Sequence, residues 1–267
     1  TATGALVSGL LSQVLQSSGI SALNSYRVVV IGYGLVGLGL IFLFTRLSPS
    51  IEIATPAQPA AVADRQPGSF LGLHGSQKIV FQLAGLFALD AFAGGFVIQS
   101  LVAYWFHIKY GVDPALLGSI FFGANILAGI SALSAAWVAK RIGLINTMVA
   151  THLPSNILLI LVPLMPNLPL AITMLLLRFS ISQMDVPTRQ SYTMAVVKPD
   201  ERSAASGITG VARTVGASLS PVITGAFLAN PALLGLPFII SGGLKIIYDL
   251  LLYTNMRKVK PPEEQTA

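Results

Sequence analysis

The sequence predicts an all-α membrane protein of about eight transmembrane helices, on three observations. Only 10% of the 267 residues are charged while 54% are apolar, and the mean hydropathy is +0.75. A soluble domain carries about a quarter charged residues, so 16 basic and 10 acidic side chains cannot clothe this much apolar surface in water. Apolar stretches of roughly 20 residues recur along the chain, the length a helix needs to cross a bilayer. Period-two alternation is absent, so the stretches are helices and not barrel strands. This composition excludes a soluble enzyme, a disordered tail and a nucleic-acid module. With no cysteine, it also excludes disulfides, thiolate metal sites and cysteine nucleophiles.

The elements follow in order. The chain opens Thr1-Ala2-Thr3-Gly4, without methionine or a basic leader, and is apolar from the first turn; it reads as a fragment or a processed piece. Segment 1–17 ends before Asn24-Ser25, after which 26–45 runs to Arg46. Residues 47–77 hold Pro49, Pro56, Pro59 and Pro67 among alanines and read as an exposed linker. Segment 79–105 contains the pair Gly94-Gly95, and Val112-Asp113-Pro114 then opens 115–138. Segment 144–164 follows Gly143, and the turn Pro166-Asn167-Leu168-Pro169 leads into 168–190, in which Pro187 bends the helix. Lys198-Pro199-Asp200 and Asn230-Pro231 bound the last two segments, 203–228 and 236–256. The expected division is 1–46 as two helices ending one unit, 47–77 as a cytoplasmic linker, 78–257 as a six-helix bundle, and 258–267 as a tail.

Charge placement sets the orientation. With the linker cytoplasmic, Arg46, Arg65, Lys78, Lys140, Arg141, Lys198, Arg202, Arg257, Lys258 and Lys260 fall inside, and only Arg27 and Lys109 outside. The net charge of +6 therefore belongs to topology and not to nucleic-acid binding. The C-terminus is expected in the cytoplasm, in a plasma or inner membrane, and Tyr104, Trp105 and Tyr110 are expected to form an interfacial belt. An internal match adds weight to the division: Ala5-Leu6-Val7-Ser8-Gly9-Leu10 aligns with Pro221-Val222-Ile223-Thr224-Gly225-Ala226, as though segments one and two were a worn copy of seven and eight.

Ionisable groups at bilayer depth are expensive and point to function. Asp90 stands beside Gly94-Gly95, where a helix can unwind, and could hold and release a proton or cation as its exposure changes. Segment six carries Arg178, Asp185 and Arg189 along one stripe. Arg178 fixes an anionic solute or balances Asp90, while Asp185 and Arg189 read as an inner-gate or structural pair. Arg213 needs an acid, for which Asp90 and Asp185 are the candidates. Lys245 and Asp249, one turn apart, are expected to satisfy each other. His152 and Asn156 share a face suited to interhelical hydrogen bonds. Gln99 and Asn125 could line a cavity.

The loop signatures resemble those of the major facilitator superfamily: two six-helix halves joined by a long cytoplasmic loop. Ala136-Trp137-Val138-Ala139-Lys140-Arg141-Ile142-Gly143 resembles the family's inner-loop signature, with Lys140 where that signature has aspartate. Leu177-Arg178 is similar to the arginine of the fourth-helix motif, on its repeat mate. Pro199-Asp200-Glu201-Arg202-Ser203-Ala204 resembles the Pro-x-x-Glu-Arg-x-x-Ala that opens the eleventh helix, and Gly207, Gly216, Ser220-Pro221 and Gly225 resemble the antiporter motif.

The resemblance implies a major-facilitator-type bundle containing helices five to twelve, with earlier helices needed for a complete carrier. It implies a secondary transporter of a small organic solute, coupled to protons and directed to efflux. The alternatives are a metabolite/proton symporter for uptake, or a transport-inactive sensor, assembly partner or truncated carrier. The expected substrate or coupling residues are Asp90, Gly94, Gly95, Gln99, Asn125, Arg178 and Arg213. The expected inner-gate or structural charges are Lys140, Arg141, Asp185, Arg189, Glu201 and Arg202. Expected partners are the solute, protons and the lipid bilayer, with no nucleic acid, no catalytic residue, no metal and no cofactor. No Walker-type loop, His-Glu-x-x-His helix or Gly-x-Ser-x-Gly elbow occurs in the sequence.

Overall fold

Helix starts fall where the turn chemistry places them. The Asp113 carboxylate accepts from the Leu116 amide at 2.8 Å with Pro114 at the first helical position, and Asn167 accepts likewise from Leu170 at 3.0 Å. The computed structural model describes residues 1–47, 70–259 and 261. Among these are ten α-helices: α1 (Ala2–Ser17), α2 (Ala22–Thr45), α3 (Gln77–Gly95), α4 (Gln99–Tyr110), α5 (Pro114–Ile142), α6 (Leu144–Leu161), α7 (Leu168–Ser182), α8 (Asp185–Val196), α9 (Arg202–Leu228) and α10 (Leu236–Met256). Among the described residues, six stretches are long and apolar enough to cross a membrane: Ala22–Thr45, Gln77–Tyr110, Pro114–Ile142, Leu144–Leu164, Pro199–Leu228 and Pro231–Met256.

Ten helices arise from eight segments because two segments break. Segment three divides after Gly95, where Ile98 turns extended at ψ 151° before α4. The weak Gly94-Gly95 pair stands at that break. Segment six divides at Gln183-Met184. Pro187 lacks the amide that would bond the Gln183 carbonyl, and its ring clashes with that carbonyl, so the helix yields four residues earlier than the proline itself. The single stripe expected for Arg178, Asp185 and Arg189 is thus shared by two helices.

Packing is closest between α3 and α9, and α10 lies against both α6 and α3. Gly216 makes the α3–α9 approach possible, since a Cβ there would collide with the Ala88 carbonyl oxygen. α1 packs on α5 through Gly9 and Gly118. α2 touches α1, with Gln16 donating to the Ser25 hydroxyl at 2.9 Å, and most of its apolar side chains are exposed.

Two large apolar cores form beside a small one around Leu73. One gathers Trp105, Phe106, Phe121, Leu159, Leu175 and Phe238; the other gathers Leu83, Phe87, Met148, Tyr192, Tyr248 and Leu252. Along α6, His152 and Asn156 fall between Met148 of one core and Leu159 of the other. Along α10, Lys245 falls between Phe238 and Leu252. A polar layer therefore separates the two cores.

Two expectations need correction. Trp105 does not belong to an interfacial belt: it is fully buried against Phe106, Tyr110 and Phe238, whereas Tyr104 is exposed. The exposed linker is expected to run to residue 77, yet Phe70 bridges to Leu73, and Leu73 is fully buried beside Val80, Val197 and Ala205. The apolar side chain of Leu73 holds the segment 70–76 against these residues. Residues 48–69 of that linker and most of the expected tail lie outside the described residues.

Candidate functional site

The polar layer is built around one carboxylate. Asp90 sits buried in α3, five residues before the Gly95 break, and receives a cation from each of three other helices. Oδ2 accepts from Arg189 Nη1 of α8 at 3.0 Å and from Arg213 Nη1 of α9 at 3.2 Å. Oδ1 accepts from Lys245 Nζ of α10 at 2.5 Å. Arg189 also bonds Asp185, one turn before it, at 3.2 Å. Burying charge is tolerated only when the charges are paired, and here every pairing to Asp90 crosses between helices.

A second acid lies behind the first. Asp249 of α10 accepts from His152 Nδ1 at 2.7 Å and from Asn156 Nδ2 at 2.9 Å. The other ring nitrogen, Nε2, points toward the first acid. That Nε2 lies 3.9 Å from Asp90 Oδ1.

Two cavities flank the cluster. One of about 520 Å³ is lined by Phe87, Gln190, Thr193, Thr209 and the two arginines, Arg189 and Arg213. The other, of about 370 Å³, is lined by Asp90, Gly94, Gly95, Ile98, Arg213 and Lys245. Arg213 lines both, so the Asp90–Arg213 bridge forms part of the partition between them.

The structure brings together Asp90, Gly94, Gly95 and Arg213 from the expected substrate or coupling set, and adds Asp185 and Arg189 from the expected inner-gate set. Arg178 is not among the partners of Asp90; its guanidinium lies 5.1 Å from the Phe179 ring and its buried Nε has no hydrogen-bond partner. Asn125 donates to the Phe121 carbonyl of its own helix at 2.7 Å, and Gln99 lines a separate cavity between α1, α2, α4 and α5. Arg141 stacks on Trp137 with 3.9 Å from guanidinium carbon to ring centre, beside an exposed Lys140.

Glu201 takes a different role. Its buried carboxylate accepts from the backbone amides of His74, of Gly75 at 2.7 Å and of Ser76 at 2.9 Å, and so fastens the start of α3 to the start of α9. Beside it, Arg202 donates to the Met194 carbonyl at 2.9 Å. Glu201→Gln would turn an amide NH₂ toward one of those donors. Hydrogen bonds to a charged group contribute about 1.5–3 kcal/mol, so Glu201→Gln is expected to lower the unfolding midpoint measurably. Asp200→Asn removes only an exposed contact to His74 Nε2 at 3.3 Å, its side chain being 63% exposed, and should change the midpoint far less. Equal midpoints for the two variants would contradict the clasp.

The sequence reading missed Lys245 as a partner of Asp90. Lys245 and Asp249 do not pair: one faces α3 and the other faces α6. The available signal was that Asp90 and Lys245 are both charges deep in apolar spans, which outweighs adjacency on one helix.

The family model described as Major Facilitator Superfamily matches residues 1–221 and again 91–267. An uncharacterized membrane protein of Saccharomyces cerevisiae, YJR124C, is 26% identical over 276 aligned positions, covering 94% of this chain and 61% of the relative. The chain thus spans about three-fifths of that relative's length. No solved structure matches. With apolar spans packed around a buried charge cluster and family matches that together cover the chain, this multi-pass membrane protein belongs to the Major Facilitator Superfamily.

Proposed function

We propose that the protein is a secondary carrier that exports a small organic solute by alternating access, in exchange for protons. The observation that carries this reading is Asp90, a buried carboxylate whose cations come from α8, α9 and α10. Ion pairs between helices hold only while those helices keep one arrangement. A proton passing to Asp90, or to His152 Nε2 beside it, weakens the attraction to Arg213 and frees α9 to move against α3. Loss of that proton restores the bridge. Family membership supports transport, the partition between two cavities supports alternating access, and the glycine pattern of α9 supports export.

The reading fails if purified protein in proteoliposomes moves no solute under an imposed pH gradient. It also fails in direction if solute moves with protons and not against them, which is the symport outcome.

The orientation is testable because the chain has no cysteine of its own. Asp200 and Ala232 are exposed residues at opposite ends of α9, whose 27 residues span about 40 Å. In intact cells an impermeant maleimide is expected to label Ala232→Cys and to spare Asp200→Cys. Labelling of Asp200→Cys from outside would invert the assigned sides.

A further inference from the structure

The geometry points to an organic anion as the solute, bound in the 520 Å³ cavity by Arg213 and Arg189; this rests on the carrier reading above. The first ground is charge. Around the polar layer stand four permanent cations, Arg178, Arg189, Arg213 and Lys245, against three carboxylates, Asp90, Asp185 and Asp249. Counting these groups alone, one positive charge is left over in a site of low dielectric, where an uncompensated charge is costly. The second ground is placement. Asp90 lies behind both arginines and does not line this cavity, so the wall facing the cavity presents guanidinium and no carboxylate.

Arg213 has further N–H donors, and its side chain is 36% exposed, whereas Arg189 is held at the back by both Asp90 and Asp185. Arg213 is therefore the group that meets the solute first. A guanidinium fork matches a carboxylate or phosphate bidentately. The rest of the wall sets the remainder of the solute: Phe87, Val186 and Met194 offer apolar surface, and Gln190 and Thr193 offer hydrogen bonds. An aromatic or short aliphatic acid fits this combination better than an inorganic ion. Its arrival would compete with Asp90 for Arg213, and so loosen the same bridge that a proton loosens.

The test uses three probes of one shape and three charges: 1-naphthoate, 1-naphthamide and 1-naphthylmethylamine, titrated calorimetrically into the purified protein. Naphthoate is expected to bind at least tenfold more tightly than the other two. Arg213→Gln is expected to weaken naphthoate binding by about tenfold to a hundredfold, the range for losing a hydrogen bond to a charged group. Arg213→Lys should recover part of that loss, and Arg257→Gln, an exposed residue remote from the cavity, should change nothing. Equal binding of all three probes would overturn the inference, as would undiminished naphthoate binding by Arg213→Gln; an acid from elsewhere in the protein neutralising the site would give the first result. Exchange of labelled probe across proteoliposomes separates the two readings. Naphthoate bound through Arg213 but never exchanged supports the anion site and overturns the carrier. Amide or amine exchanged in preference to naphthoate, and faster than across protein-free liposomes, supports the carrier and overturns the anion.

Discussion

Asp90→Asn is expected to abolish pH-driven uphill transport while downhill exchange of solute survives in part. Asparagine keeps the size of the side chain and one accepting oxygen but carries no ionisable proton. Whichever way the amide turns, its NH₂ faces either Lys245 or the Arg189–Arg213 pair, so one set of cations loses its partner. Removing one member of a buried ion pair costs about 3–5 kcal/mol, so the variant should also unfold at a lower temperature than the wild type. Transport must then be normalised to folded protein, and the signature is the split between the two assays, not the size of either. Uphill transport at the wild-type rate would make Asp90 structural and leave Asp185 as the next carboxylate to test.

The second large effect is on folding. Gly216→Ala is expected to destabilise by about 1–3 kcal/mol, because the new methyl meets the Ala88 carbonyl oxygen, a backbone atom that cannot swing aside. Gly207→Ala and Gly225→Ala stand in the same helix with open space around the added Cβ. They are expected to be neutral, or to gain up to about 1 kcal/mol from better helix propensity. Thermal unfolding of the three variants in one detergent makes the comparison. Equal midpoints would mean that α3 and α9 do not approach at Gly216, and the geometry that brings Arg213 to Asp90 would fall with it.

Much of this was legible in the residues. Apolar length located the helices, Asp113-Pro114 and Asn167 located two helix starts, and the cost of charge in lipid singled out Asp90 and Arg213. The glycine pattern of α9 was legible as a motif, but which glycine bears the contact was not, because Gly207, Gly216 and Gly225 differ only in what faces them. The partners of Asp90 were legible in type and not in identity. Helical periodicity reports which side chains share a face of one helix; it is silent on which faces of different helices meet. That is why Lys245 was assigned to Asp249, four residues away, when it reaches across to α3. The burial of Leu73 and the Glu201 clasp were hidden for the same reason, since the linker composition reads as solvated until the carboxylate just before α9 is seen to collect the amides of residues 74–76.

The central claim is that proton movement through the Asp90 cluster drives solute in the opposite direction. Its most direct test is the steady solute ratio across proteoliposomes made one pH unit more acid inside, with the membrane potential held at zero by potassium and valinomycin. Labelled 1-naphthoate is the probe. One pH unit is worth about 1.4 kcal/mol, so one-for-one exchange is expected to concentrate the solute inside up to about tenfold. Asp90→Asn should hold the ratio near unity. Leak of the protonated naphthoic acid through lipid would move the probe the other way, so accumulation cannot come from leak. A wild-type ratio that stays at or below unity with the interior acid, or that rises only when the exterior is made acid, would contradict proton-driven export.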